Sequence, residues 1–215
     1  MAGDGVYPRE LRGWLAARSL ARGLPAPVDD HGGFRVDTGS AVEAARWVFA
    51  KVVPGLGDLV AAIRAPGHPV KLCGTPAQLR AVLPEGWALQ RPAHFMRATG
   101  APPVRNLPEG YRVTIETVAT KGGAVSTARI LSPTGALAAR GHAAETDGVF
   151  VYDRIATEPV HRRKGLGHVL IQTLHAARRE AGATGLLVAT DAGRALYATL
   201  GWEVLSPYVT GEWER

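Results

Sequence analysis

Residues 149–202, VFVYDRIATEPVHRRKGLGHVLIQTLHAARREAGATGLLVATDAGRALYATLGW, restrict the fold more than any other part of this chain. The segment opens on an apolar run with β-branched residues (Val149, Val151, Ile155, Thr157), the pattern of a buried strand. Pro159 follows, and then the consecutive imidazole and cationic side chains His161, Arg162, Arg163 and Lys164. After Gly165-Leu166-Gly167 a helical pattern begins at once, with Leu166, Val169, Leu170, Leu174 and Ala177 on one face. Gly182 is expected to end that helix. Residues 185–189 then read as a second strand, and 192–200 as a second helix stopping at Gly201. The first turn of a helix leaves N–H groups unpaired and carries partial positive charge. Glycines let that backbone approach a ligand closely, and neighbouring cations add to the field. Such a corner suits a phosphate or pyrophosphate.

Two common phosphate loops do not fit. The dinucleotide fingerprint needs a third glycine where Leu170 stands, and no Gly-x-x-x-x-Gly-Lys-Ser/Thr run exists. What remains is Arg162-x-x-Gly165-x-Gly167, followed about thirty residues later by Tyr197-x-x-x-Gly201-Trp202. In spacing, order and flanking pattern this resembles the GNAT superfamily of acetyl-CoA-dependent N-acetyltransferases, over roughly residues 110–213. The resemblance implies an α/β protein with the GNAT acyl-CoA N-acyltransferase fold and a mixed, twisted central sheet. It implies that Arg162, Arg163, Lys164, Gly165, Leu166, Gly167 and His168 grip the pyrophosphate of the cosubstrate acetyl-CoA. It also implies that the backbone of Ile155, Ala156 and Thr157 bonds the pantetheine amides, and that Tyr197 is the acid for the leaving thiolate. Family members usually place two helices between their first two strands as a wall of the acceptor site. Here the sequence shows only a short turn, so the N-terminal half is expected to supply that wall.

The attacking amine must be neutral, so a base or a water path has to take its proton. Asp153 is the leading candidate, on one strand face with Val151 and Ile155, and His142 and Glu145 are further candidates. An ordinary ion pair of Asp153 with Arg154 or another cation is at least as good a reading. Asp191 and Thr190 stand where many relatives carry an asparagine. His161, His168 and His175 recur every seven residues, which on a helix is two turns, about 10 Å, too long for shared coordination. No His-Glu-x-x-His, paired cysteines or Gly-x-Ser-x-Gly elbow occurs, so no metal site and no serine hydrolase is expected. Cys73 reads as a buried strand residue.

Composition narrows the setting. No apolar run is long enough to span a bilayer and the N-terminus lacks a secretory core, so no membrane association is expected. A single cysteine fits a reducing cytosol, and a cytoplasmic location is expected. The formal net charge of +6 comes from scattered cations apart from the 162–164 cluster. A polyanionic cosubstrate accounts for that cluster, and a nucleic-acid partner is not expected.

Upstream, residues 8–22 read as a helix ended by Gly23, 24–33 as a loop, 34–38 as a strand, and about 40–51 as a helix. Pro54 opens another helix, and strand, helix and strand follow at 70–73, 76–82 and 87–89. VKLCGTPAQLRAVLPEGWALQRP parallels LLVATDAGRALYATLGWEVLSP, with Gly86-Trp87 standing 115 positions before Gly201-Trp202. Gly55-Leu56-Gly57 echoes Gly165-Leu166-Gly167, but its flank is VVP rather than RRK. This points to a diverged duplication: residues 1–100 a degenerate, catalytically silent GNAT-like N-terminal lobe, and 107–215 the catalytic domain. A linker lies at about 98–106, and 111–117, 124–131 and 137–145 form a strand meander leading into 149–157. The expected function is acetylation of a primary amine on a small molecule. The alternatives are acetylation of a protein amine or aminoacyl-tRNA, and a non-catalytic acyl-CoA-binding regulatory module. Either a homodimer or a monomer with an internal pseudo-dimer is expected.

Overall fold

The computed structural model describes residues 5–214. Pro8–Arg22 forms α1, with Pro8 in its first turn and Gly23 at φ 64° ending it by donating to the Leu20 carbonyl. The first half continues with β1 (Val28–Asp30), β2 (Gly33–Asp37), β3 (Ala45–Phe49), α2 (Pro54–Ala62), β4 (Val70–Cys73), α3 (Pro76–Arg80), β5 (Trp87–Leu89) and β6 (Ala93–Ala98). The second half comprises β7 (Arg112–Thr120), β8 (Gly123–Leu131), β9 (Leu137–Thr146), β10 (Val149–Thr157), α4 (Leu166–Ala176), β11 (Thr184–Ala189), α5 (Asp191–Ala198) and β12 (Trp202–Trp213).

The strands form one mixed sheet ordered β1-β2-β3-β4-β12-β6-β11-β10-β9-β8-β7, with β5 alongside β12. Its order mirrors about β12 and β6: β4 matches β11, β3 matches β10, and both matched neighbours, β3–β4 and β10–β11, are parallel. The register carries the same symmetry. Trp202 faces Ala98 and Val204 faces Met96, while 115 positions away Trp87 faces Trp213 and Leu89 faces Gly211. Each half therefore places its last strand inside the other, β12 beside β4 and β6 beside β11.

Alternation along the strands sends side chains to two faces. On one face α1 spans both halves, packing Leu11, Trp14 and Leu15 with Val36 and Val48 from the first and Val149 and Val151 from the second. Each such buried side chain contributes roughly 1.5–3 kcal/mol. Close approach depends on Gly13, where an added Cβ would come 2.7 Å from a Val149 methyl. On the other face Phe150 and Tyr152 meet α4 and α5, and Phe49 and Leu72 meet α2 and α3. The turn between β7 and β8 holds no helix, and α1 covers the face of β8, β9 and β10 instead.

Several elements differ from the sequence reading. Residues 45–49 are a strand, not a helix: all five are buried, Arg46 among them, and a run buried on both faces has no period to separate the two. The 24–33 loop contains β1, turned back at His31-Gly32. Ala93–Ala98, left without an element, is a central strand whose polar His94 and Arg97 disguise it. Helix α4 stops at Ala176, before Gly182. β7 alternates in sequence, yet all nine of its residues are exposed because it is the sheet edge.

Candidate active site

The sequence after β10 folds into a 3₁₀ turn at Pro159–His161 and then a loop whose geometry is set by two left-handed residues, Arg163 at φ 62° and Gly165 at φ 78°. Gly165 caps α4 without a side-chain hydrogen bond; His168 and Val169 donate to its carbonyl, and the Leu166 and Gly167 N–H groups remain for a ligand. Arg162, Arg163 and Lys164 are exposed around them, whereas the Leu166 side chain is buried and leaves only its backbone to the loop. Lys164 Nζ donates to the Tyr111 hydroxyl at 3.1 Å, and that hydroxyl lies 3.0 Å from His161 Nδ1. Arg162 Nε reaches the Thr157 carbonyl at 3.3 Å. The segment between β6 and β7 drapes over this corner: His168 Nε2 meets the Pro103 carbonyl at 2.8 Å, and the Arg105 N–H donates to Gln172 at 2.8 Å. The Arg105 guanidinium lies against Gly165 so closely that any Cβ there would collide with it.

Behind the loop the sheet opens. β10 and β11 pair only from Val149↔Thr184 to Val151↔Leu186. Beyond that β11 follows β6 to Ala189↔His94, and β10 follows β9 to Thr157↔Ala139. The β9 register slips between Asp153 and Ala156, where Arg154 takes φ 53°. Such a bulge bends its strand, here away from β11. Ile155, Ala156 and Thr157 therefore lie on the diverging part of β10, on the path from the basic loop to a cavity of about 290 Å³. Asp153, Ile155, Val188 and Tyr197 line that cavity from the sheet and α5, and Trp14 and Arg18 line it from α1.

Residues 118–204 match the family model for an acetyltransferase (GNAT) domain. This stretch is a GNAT domain. Among solved structures, a GCN5-related N-acetyltransferase from Kribbella flavida is similar with a TM-score of 0.64 and 19% identity, covering 97% of this chain and 96% of that one. A GCN5-related N-acetyltransferase from Sphaerobacter thermophilus has a TM-score of 0.54 at 14% identity, covering 97% of this chain and 93% of its own. A GCN5-related N-acetyltransferase-like protein from Streptococcus suis gives 0.57 at 14%, covering 85% of this chain and 84% of its own. At these identities the likeness is one of fold: α/β, with the mixed GNAT sheet. No curated protein gives a significant sequence match.

Within the GNAT domain the cavity groups differ in what protons they can move. Tyr197 is 7% exposed, its ring 5.5 Å from Trp202, and burial raises its phenol pKa, so it stays protonated at neutral pH. Asp153 is buried and accepts two hydrogen bonds from Arg22, at 2.7 and 2.8 Å, with Arg18 Nε at 3.6 Å. Burial alone would raise its pKa, but the Arg22 hydrogen bond and the nearby guanidinium charges outweigh it and hold the carboxyl below its usual range. A carboxylate held in this way is a weak base. His142 faces Asp153 across the β9–β10 ladder and lines an adjoining cavity with Arg154 and Ile155. Burial, then the charge of Arg154, lowers its pKa and favours neutral imidazole, and its Nδ1 lies 3.1 Å from the Thr127 hydroxyl. Glu145 is engaged elsewhere, accepting the N–H groups of Arg179 and Glu180 at 2.7 and 2.6 Å.

The remaining residues singled out in the sequence have local roles. Thr190 caps α5 by accepting the Gly193 N–H, and Asp191 binds Arg91 and His94, tying α5 to the first half. His175 pairs with the Tyr152 hydroxyl, so each of the three evenly spaced histidines has its own partner. Among the described residues no cluster suited to a metal is present, and no helix is long and apolar enough to cross a membrane. Cys73 is buried on β4, which pushes its thiol pKa up. Sequence reasoning missed Trp14, Arg18, Arg22 and Arg105. The first three read as ordinary positions of an amphipathic helix, and Arg105 as a linker residue.

Proposed function

We propose that this protein is an acetyl-CoA-dependent N-acetyltransferase acting on a primary amine of a small molecule. The observation that carries the reading is the opening of β10 from β11, which leads from the basic corner at α4 into a cavity lined by Tyr197. In this reading the loop from Arg162 to His168 holds the cosubstrate pyrophosphate on outward N–H groups and cations, with Arg105 adding charge from the linker. The backbone of Ile155, Ala156 and Thr157 bonds the pantetheine arm and directs the thioester toward Tyr197. The amine nitrogen attacks the thioester carbonyl, the C–N bond forms, and the C–S bond breaks. Tyr197 then gives its proton to the departing sulfur. Asp153 holds Arg22 in place instead of taking the amine proton, and His142 takes that proton. A cavity of about 290 Å³ supports a small acceptor over a protein segment or an RNA end.

The test is CoA release from acetyl-CoA in the presence of a panel of amines, followed by product mass. Tyr197→Phe should lower kcat about 100-fold with acetyl-CoA affinity kept, in the range of one general acid. His142→Gln should lower kcat less and remove the acid limb of the pH–rate profile. Turnover by Tyr197→Phe at the wild-type rate would defeat the acid assignment, and an unchanged acid limb in His142→Gln would defeat the base.

A further inference from the structure

The charges around the cavity do not balance. Three guanidinium groups line it, Arg18, Arg22 and Arg154, against one carboxylate, Asp153. Arg22 takes up that carboxylate with two hydrogen bonds. Arg18 is left with a 3.6 Å contact to the same carboxylate and a position 5.2 Å over the Trp14 ring, and it donates no hydrogen bond among the described residues. Its side chain is only 20% exposed. Arg46 shares a small void with Arg18 but is itself paired with Glu43 at 2.6 Å, so it brings Arg18 no countercharge. Beside it, the Trp14 indole N–H is buried without an acceptor. A guanidinium largely withdrawn from water, whose one carboxylate contact is long and already claimed by Arg22, has unused donors, and its planar fork fits an oxyanion.

We propose that the acceptor amine also carries a compact oxyanion, a carboxylate or a phosphate, and that Arg18 receives that group while the amine points to the opening between β10 and β11. This deepens the acetyltransferase reading and rests on it. Burial and the neighbouring Arg22 lower the Arg18 pKa to about 10, as expected for a cation short of countercharge. The same surplus repels acceptors that carry only positive charge. Polyamines are therefore disfavoured, and amino acids and aminoalkyl phosphates are favoured.

The experiment compares kcat/KM for propylamine, 4-aminobutyrate, phosphoethanolamine and 1,4-diaminobutane in the full-length wild type, Arg18→Met and Arg18→Lys, with acetyl-CoA binding measured separately. The wild type should favour an oxyanion-bearing amine over propylamine by tenfold or more, with the diamine last. The carboxylate and phosphate arms say which group the pocket takes. Arg18→Met should collapse that preference through KM, and Arg18→Lys should restore part of it, with acetyl-CoA affinity kept in both. Equal or faster turnover of propylamine or the diamine overturns the inference and leaves the acetyltransferase reading standing. So does a preference that survives Arg18→Met. No CoA release with any amine overturns both, and loss of acetyl-CoA binding as well would remove the cosubstrate site along with them.

Discussion

The two halves of the sheet carry the same succession of an antiparallel pair, a parallel crossover, a helix and a Gly-Trp strand, and they differ at three places. In the first half β3 ends at Phe49, level with its last pair to Leu72, whereas β10 runs six residues past its last pair with β11. β3 shows no register slip, and β10 has one at Arg154. The crossover loop reads VVPGLG in the first half and RRKGLG in the second. The glycines also serve different ends. A Cβ at Gly55 would strike the His31 carbonyl, a packing constraint, whereas Gly165 supplies a left-handed cap beside cations. The shared fold is thus a scaffold, and the candidate chemistry comes from the overrun strand, the bulge and the basic loop.

Three experiments can break or sharpen this comparison. The largest effect should come from separating the halves. Residues 1–100 and 107–215 expressed alone should each lack a cooperative thermal transition, because each would lack the strand it receives from the other and leave its own last strand unpaired; the expected loss is the whole stability, roughly 5–15 kcal/mol. A cooperative melt of 107–215 alone would show an independent domain and end the exchange argument.

Next in size is the loop contrast. Arg163→Glu should weaken acetyl-CoA binding roughly 10- to 100-fold, the worth of one charge-assisted contact and its reversal. Val52→Arg at the matching flank should leave calorimetric stoichiometry at one acetyl-CoA per chain. Unchanged affinity in Arg163→Glu would remove the phosphate loop from the second half.

The smallest effect concerns pH. Lys71 on β4 donates to Thr210 at 3.3 Å, and its burial lowers its pKa to about 8. Between pH 8 and the ordinary lysine value the unfolded chain holds the proton more tightly, so stability should rise with pH there, by at most about 1.4 kcal/mol per unit. Lys71→Met should abolish that rise in denaturant titrations. Asp153 and His142 in the second half also have lowered pKa values, so stability rises with pH there too, but across the acid range rather than the alkaline one. A rise that persists in Lys71→Met would show that another group causes it.

Local pattern was enough for much of this molecule. The strand at 149–157, the basic loop, the Gly165 cap, α4, α5 and the position of Tyr197 all follow from residues within a few turns of one another. Periodicity, capping and glycine conformations act over that range. The chain also showed its own repeat through Gly86-Trp87 and Gly201-Trp202. Tertiary structure alone decided the rest. Residues 45–49 became a strand because β2 and β4 pair with it from both sides. Ala93–Ala98 became central because β11 and β12 flank it. The ion pair of Asp153 with Arg22 joins positions 131 residues apart. No local signal encodes such a contact, because it exists only once α1 is packed across both halves, where burial makes the pairing of charges unavoidable.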